Sequence, residues 1–191
     1  MYQSITAAVH RRLAAHLRPG DWALDATAGN GHDTLALARL LGPTGRVYAI
    51  DVQPKAIAAT KARLAREDSP TAPAILLRGD HADLADLLPA ETRGRLRAVV
   101  FNLGFLPGAD KSLTTRAVTT LAALEGALDW LADDGAVAVT CYPGHAEGAG
   151  EAAAVEAWAL RRASQPAWQL DTARNPGTRR PGPFLLWLTR V

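Results

Sequence analysis

Short apolar runs alternate with segments of helical spacing along this chain, and that alternation restricts the folds open to it. Apolar runs fall at 22–26, 46–50, 74–77, 97–101 and 136–141. Segments with helical periodicity fall at 3–17, 33–41, 54–66, 81–88, 113–131 and 148–163. Strand followed by helix, repeated, predicts a parallel sheet covered by helices on both faces, with right-handed crossovers. Two further runs, 168–173 and 184–189, have no helix between them. The segment joining them is rich in Pro, Gly and Arg, so they are expected to pair as an antiparallel hairpin at one edge. The expected architecture is therefore α/β: a doubly wound, mostly parallel, seven-stranded sheet with a C-terminal edge hairpin. Turn residues agree at Gly42-Pro43-Thr44-Gly45, at Pro54 (suited to a first helical turn) and at Asp133-Asp134-Gly135. The helix within residues 1–20 is expected to pack on or beside the sheet.

Bulk properties exclude several classes. A chain of 191 residues with no long linker fits one domain, 1–191. With 48% apolar and 21% charged residues it has an ordinary globular composition. A single cysteine, Cys141, rules out an internal disulfide framework and fits a reducing, cytoplasmic compartment. His10, Arg11 and Arg12 break any signal-peptide core, and no run of 18 apolar residues predicts a membrane span. The net charge of +2 is too small to announce nucleic-acid binding. Arginines do cluster at the two ends: Arg11, Arg12 and Arg18 near the first, and Arg161, Arg162, Arg174, Arg179, Arg180 and Arg190 near the second. Solvated surface charge explains that pattern as readily as RNA contact.

In open α/β sheets, ligands bind at the carboxyl ends of strands. The first strand runs into Asp25-Ala26-Thr27-Ala28-Gly29-Asn30-Gly31-His32-Asp33-Thr34. Gly29 and Gly31 allow close backbone approach, and the following helix N-terminus faces the ligand. The dinucleotide fingerprint G-x-G-x-x-G lacks its third glycine here, because Thr34 occupies that place. Asp25 and Asp33 are unfavourable beside a pyrophosphate and suit a cationic nucleoside such as S-adenosylmethionine. The second strand ends in Asp51, 26 residues after Asp25, placed to accept both hydroxyls of a ribose. The third ends in Gly79-Asp80-His81, where Asp80 can accept from an adenine amino group and His81 can flank the ring. Simple helix capping by Asp25, Asp51 and Asp80 is the alternative.

The fourth strand leads into Asn102-Leu103-Gly104-Phe105. This resembles the Asp/Asn-Pro-Pro-Tyr/Phe turn of amino-group methyltransferases, with both prolines replaced. In that turn a polar side chain and a backbone carbonyl, here Asn102 and Leu103, accept the N–H groups of the target amine, and the aromatic residue stacks on the target. Phe105 either stacks on a base or packs beneath the loop. Lys111 either contacts a phosphate or pairs with Asp110 or another nearby acid. After the fifth strand, Tyr142 and His145 can line the opposite wall, and His145 is a candidate proton acceptor or merely a loop hydrogen-bonder. Cys141 as a nucleophile toward a uridine ring lacks a matching base constellation. The tryptophans read as core or interface. Histidine and cysteine spacing indicates no metal.

The strings DATAGNGHDT, IDVQ, GDHADL, FNLGFLPGADKSLTT and YPGHAEG are similar to a bacterial family labelled putative rRNA methylase. Its members are associated with methylating the 5-aminomethyl group of 2-thiouridine at the tRNA wobble position. The resemblance spans residues 25–148, with Asn175 and Pro181 or Pro183 resembling a further family element. It implies a Rossmann-like class I methyltransferase fold and an S-adenosylmethionine site at Asn30, Asp33, Asp51, Gln53, Asp80 and His81. It also implies a tRNA anticodon region as partner and a homodimer. The tail at 176–183 and Cys141 depart from the family pattern. Other acceptors consistent with the residues are rRNA or a small amine. A nicotinamide oxidoreductase is disfavoured by the missing glycine and by residues 102–105. A non-catalytic nucleotide- or RNA-binding module is disfavoured by Asn102 and Asp51.

Overall fold

The computed structural model describes residues 4–104, 115–144, 146–174 and 182–191, with only the backbone described at 146 and 147. The elements run α1 (Ile5–His16), β1 (Trp22–Asp25), α2 (His32–Leu41), β2 (Arg46–Asp51), α3 (Pro54–Leu64), β3 (Ala74–Arg78) and α4 (Leu84–Leu87). They continue through β4 (Leu96–Asn102), α5 (Ala117–Leu128), β5 (Leu131–Cys141), α6 (Ala146–Ala163), β6 (Trp168–Arg174) and β7 (Phe184–Arg190). One seven-stranded sheet has the order β3-β2-β1-β4-β5-β7-β6. Strands β1 to β5 pair in parallel, and β7 lies antiparallel to both β5 and β6.

The hairpin forms as expected, but β7 is its inner strand. Phe184 to Leu188 is an unbroken buried run, which needs a neighbour on each side and cover on both faces. β6 is largely exposed or half-buried, with Gln169, Asp171 and Thr172 among its residues, so it suits the outer edge. Period-two alternation divides the interior strands between two cores. Leu24, Tyr48, Ile50 and Phe101 face α5 and α6 with Trp158. Ala23, Val47, Ala98 and Val100 face the opposite layer, where α1 lays Ile5, Val9 and Leu13 against Trp187 and Leu185. Ser4 caps α1 by accepting from the Ala7 amide.

Two segments differ from expectation. A helix expected over 81–88 is a 3-10 turn, His81–Asp83, followed by the four residues of α4. Pro89 forces Leu88 into extended backbone and stops it. The expected turn at Asp133-Asp134-Gly135 is a bulge inside β5: the register with β4 passes from Leu96↔Leu131 directly to Ala98↔Ala136. A Cβ on Gly135 would stand 2.8 Å from the Leu96 carbonyl oxygen, so glycine lets the bulge close. The helix before it ends at Leu128, earlier than the expected 131. Among the described residues, no helix is long and apolar enough to cross a membrane. The order reverses between β1 and β4, and the carboxyl ends of those two strands carry the candidate site.

Candidate active site

The loop after β1 is stitched to its neighbours on both sides. The Ala26 amide donates to the Val100 carbonyl at 2.8 Å and the Ala28 amide to the Ile50 carbonyl at 2.9 Å. Gly29 and Gly31 take φ of 53° and 77°, which L side chains avoid. A Cβ on Gly31 would fall 2.8 Å from the Thr60 Cα, so α3 packs directly on the loop. Helix α3 also holds the loop with polar contacts: Arg63 Nε donates to the Asn30 carbonyl at 2.6 Å, and the Thr60 hydroxyl to the Gly29 carbonyl at 3.2 Å. Asp51, at the tip of β2, accepts from the Gly29 amide (2.9 Å) and from the Gln53 amide (2.9 Å). Asp51 is thereby aimed while still half-buried.

Asp80 and His81 stand at the end of β3. Asp80 accepts from the Ala82 amide at 2.9 Å, so it caps the 3-10 turn just beyond the carboxyl end of β3. His81 is buried edge-on to Phe101, with ring centroids 5.8 Å apart. Burial, opposed by the Asp80 charge, holds its pKa below the ordinary imidazole value and keeps the ring neutral. Its Nε2 is buried without a hydrogen-bond partner. Nε2 itself has no accessible surface, so any contact of His81 with a ligand is made by the rest of the ring rather than by this nitrogen.

Asp25 occupies a different place from the one its sequence position suggests. It has no exposed surface. Its oxygens accept from the Thr27 amide at 3.1 Å and the Thr34 hydroxyl at 2.6 Å. Burial first, and the Asp33 charge second, push its pKa up to about 7, against the two hydrogen bonds. Asp25 is a scaffold inside the loop and presents no surface to a ligand. The acidic charge available to a cationic ligand comes from Asp33 and Asp51.

The end of β4 gathers a second cluster. The Asn102 amide N–H donates to the Thr27 hydroxyl at 2.7 Å, and Asn102 Nδ2 donates to Asp33 Oδ2 at 3.3 Å. Asp33 Oδ1 lies 2.7 Å from Nε2 of His10, which reaches in from α1. Tyr142, after β5, is half-buried next to Asn102. Burial, then the Asp33 charge, raise the phenol pKa, and the neighbouring Asn102 side chain partly offsets them. Leu103 is buried, with its amide donating to the Thr140 carbonyl at 2.9 Å. Gly104, at φ 137°, donates its amide to the Thr115 hydroxyl at 3.0 Å and accepts from the Thr115 amide at 3.1 Å. Thr115 and Thr120 in turn donate, each at 2.7 Å, to the two oxygens of Glu151, a buried carboxylate on α6. Phe105, Lys111 and His145, with Asn175 and Pro181 of the tail, lie outside the described residues.

His10 and Glu151 are the participants that sequence reading missed. His10 reads as a polar position between Val9 and Leu13 of an amphipathic helix, and only tertiary packing brings it to Asp33. Glu151 reads as a surface acid near a helix start, and only the fold gives it two threonine partners. Cys141 is buried and its thiol is pushed up to about 12, mainly by burial, so it is no nucleophile near neutrality. Among the described residues no three metal-ligating side chains come together. Several arginines of the two basic ends are spent in contacts: Arg12 with Asp171, Arg162 with Glu125, Arg174 with Glu156, and Arg190 on the Leu128 carbonyl.

Comparison with known proteins bears on the family, the fold and the cofactor class. The family model described as Putative rRNA methylase matches residues 47–186, and a Methyltransferase domain model matches residues 17–71. A chloroplastic tRNA (mnm(5)s(2)U34)-methyltransferase of Arabidopsis thaliana is 38% identical over 149 residues, covering 74% of this chain and 54% of that protein. The chain thus spans about half the length of this plant relative. The crystal structure of a putative rRNA-methylase from Clostridium thermocellum superimposes over 100% of both chains, with a TM-score of 0.88 and 29% identity. A putative methyltransferase from Streptococcus mutans, solved in complex with SAH, covers 100% of both chains with a TM-score of 0.83 and 29% identity. The architecture is the Rossmann-like class I methyltransferase fold. With more than half of its length matched by the family model, the chain belongs to the Putative rRNA methylase family.

Proposed function

We propose that this chain is an S-adenosylmethionine-dependent N-methyltransferase acting on the 5-aminomethyl group of 2-thiouridine at tRNA position 34. The observation that carries the reading is the fixing of Asn102. Asp33 has only lone pairs to offer, so the Asn102 amide turns its Nδ2 toward it. That leaves Oδ1 to accept an N–H of an incoming amine and direct the nitrogen lone pair. The plant relative's name and the family membership support the same reaction class.

Asp51 would hold the ribose hydroxyls and Asp80 with His81 the adenine. The loop Gly29-Asn30-Gly31, with Gln53 and Asp33, would hold the remainder of the cofactor. When bound, S-adenosylmethionine supplies an electrophilic methyl on a positively charged sulfur. The protein's own contribution is mainly placement: a neutral amine held in line gains most of its advantage from orientation. The amine gains the methyl and releases one proton. In this reading Tyr142 closes the wall beside Asn102, His145 takes the proton, Leu103 and Gly104 line the acceptor turn, Phe105 stacks on the base, and Lys111 meets a phosphate. The enzyme acts as a homodimer in the cytoplasm, with the anticodon region of tRNA as its partner.

Mass spectrometry of nucleosides from a strain lacking the gene tests the acceptor. Accumulation of 5-aminomethyl-2-thiouridine is the expected result. An unchanged tRNA profile with a methyl mark missing from rRNA would overturn it in favour of an rRNA acceptor. For the cofactor site, Asp51→Ala is expected to weaken S-adenosylmethionine binding about 10-fold or more by calorimetry, the cost of charge-assisted hydrogen bonds.

A further inference from the structure

We propose that His10 is a positioning residue for methyl transfer, acting through Asp33 on Asn102. The inference rests on the N-methyltransferase reading above and extends it to the N-terminal helix. Helix α1 is anchored by the buried Ile5, Val9 and Leu13, so the backbone carrying His10 has little freedom. The His10 ring is partly exposed, with its Nε2 2.7 Å from Asp33 Oδ1, while Asp33 itself is buried. A carboxylate only accepts, so His10 Nε2 carries a hydrogen and donates. One oxygen of Asp33 therefore belongs to His10 and the other to Asn102. With His10 absent, the Asp33 carboxylate is free to rotate away from Asn102, and the amide loses the partner that sets which of its ends faces the amine. The dyad thus acts on the acceptor side of the chemistry, through hydrogen bonds that leave Asp51, Asp80 and His81 untouched.

This assignment puts the larger loss on turnover rather than on cofactor binding. His10→Ala is expected to lower kcat about tenfold or more, the penalty of a misplaced reacting group, with a smaller rise in the Kd for S-adenosylmethionine because Asp33 also borders the cofactor loop, and with a lowered unfolding midpoint from the bond lost to a buried carboxylate. His10→Gln, whose amide can donate to Asp33, should recover most of the loss. The Asn102 side-chain NH2 resonances should move in His10→Ala and return in His10→Gln, a readout that needs no acceptor. Unchanged kcat in His10→Ala, a loss confined to cofactor affinity, or unmoved Asn102 resonances would overturn the inference. A wild-type protein that binds S-adenosylmethionine but methylates no aminomethyl nucleoside would instead overturn the proposed function, and the resonances would still decide whether His10 sets Asn102.

Discussion

Asp25 has no contact with solvent, and its stability cost depends on pH. Its pKa of about 7 lies well above the ordinary aspartate value near 4. The stabilisation belonging to the protonated form is present at low pH and is lost as pH rises toward 7, because the unfolded chain ionises first. Asp25→Asn keeps one acceptor and one donor for Thr27 and Thr34 and cannot ionise. Urea unfolding should show the variant gaining on wild type between about pH 4 and 7, with no further gain above the Asp25 pKa; a pH-independent difference would contradict this. At Cys141 the thiol pKa of about 12 leads to a second expectation. Cys141→Ala should retain kcat within about twofold while losing roughly 1 kcal/mol or less of stability, since a small buried side chain is removed. Abolished turnover with intact cofactor binding would restore the cysteine as a nucleophile.

Among the elements, α6 and α1 support the β4 end of the candidate site from opposite faces of the sheet. Glu151 on α6 fixes Thr115 and Thr120, and Thr115 closes back on Gly104. Thr120→Val removes one hydrogen bond from a buried carboxylate and should cost about 1–3 kcal/mol in chemical denaturation. A neutral result would mean that Glu151 has another partner. The elements themselves were largely legible in the sequence. Runs such as Val47-Tyr48-Ala49-Ile50 are buried on both faces and leave little choice but an interior strand. Legibility failed where local pattern yields to pairing. Asp133-Asp134-Gly135 has turn chemistry, yet β4 and β5 absorb it as a bulge. At 81–88 the Asp80 cap and Pro89 shorten a helix that periodicity alone extends. The glycine loop, Asp51, Asp80 and Asn102 could be placed at one edge of the sheet from the sequence because each ends or closely follows a strand. His10 and Glu151 could not, because their partners are 23, 31 and 36 residues away in sequence.

For the molecule as a whole, the reversal of strand order between β1 and β4 places the two halves of the site side by side. On one half, Asp51, Asp80 and His81 stand at the ends of β2 and β3, where the proposed function puts a nucleoside. On the other, Asn102, Asp33, His10 and Tyr142 converge from four elements and loops, where it puts the acceptor amine. Asp33 belongs to both halves, since it opens α2 at the cofactor loop and holds Asn102. The most direct measurement supplies the purified protein with labelled S-adenosylmethionine and tRNA from a strain lacking the gene, then digests the tRNA and identifies the labelled nucleoside. The expected product is 5-methylaminomethyl-2-thiouridine, formed by wild type and lost in Asn102→Ala despite retained cofactor binding. Label in a different nucleoside, or equal labelling by Asn102→Ala, would contradict it.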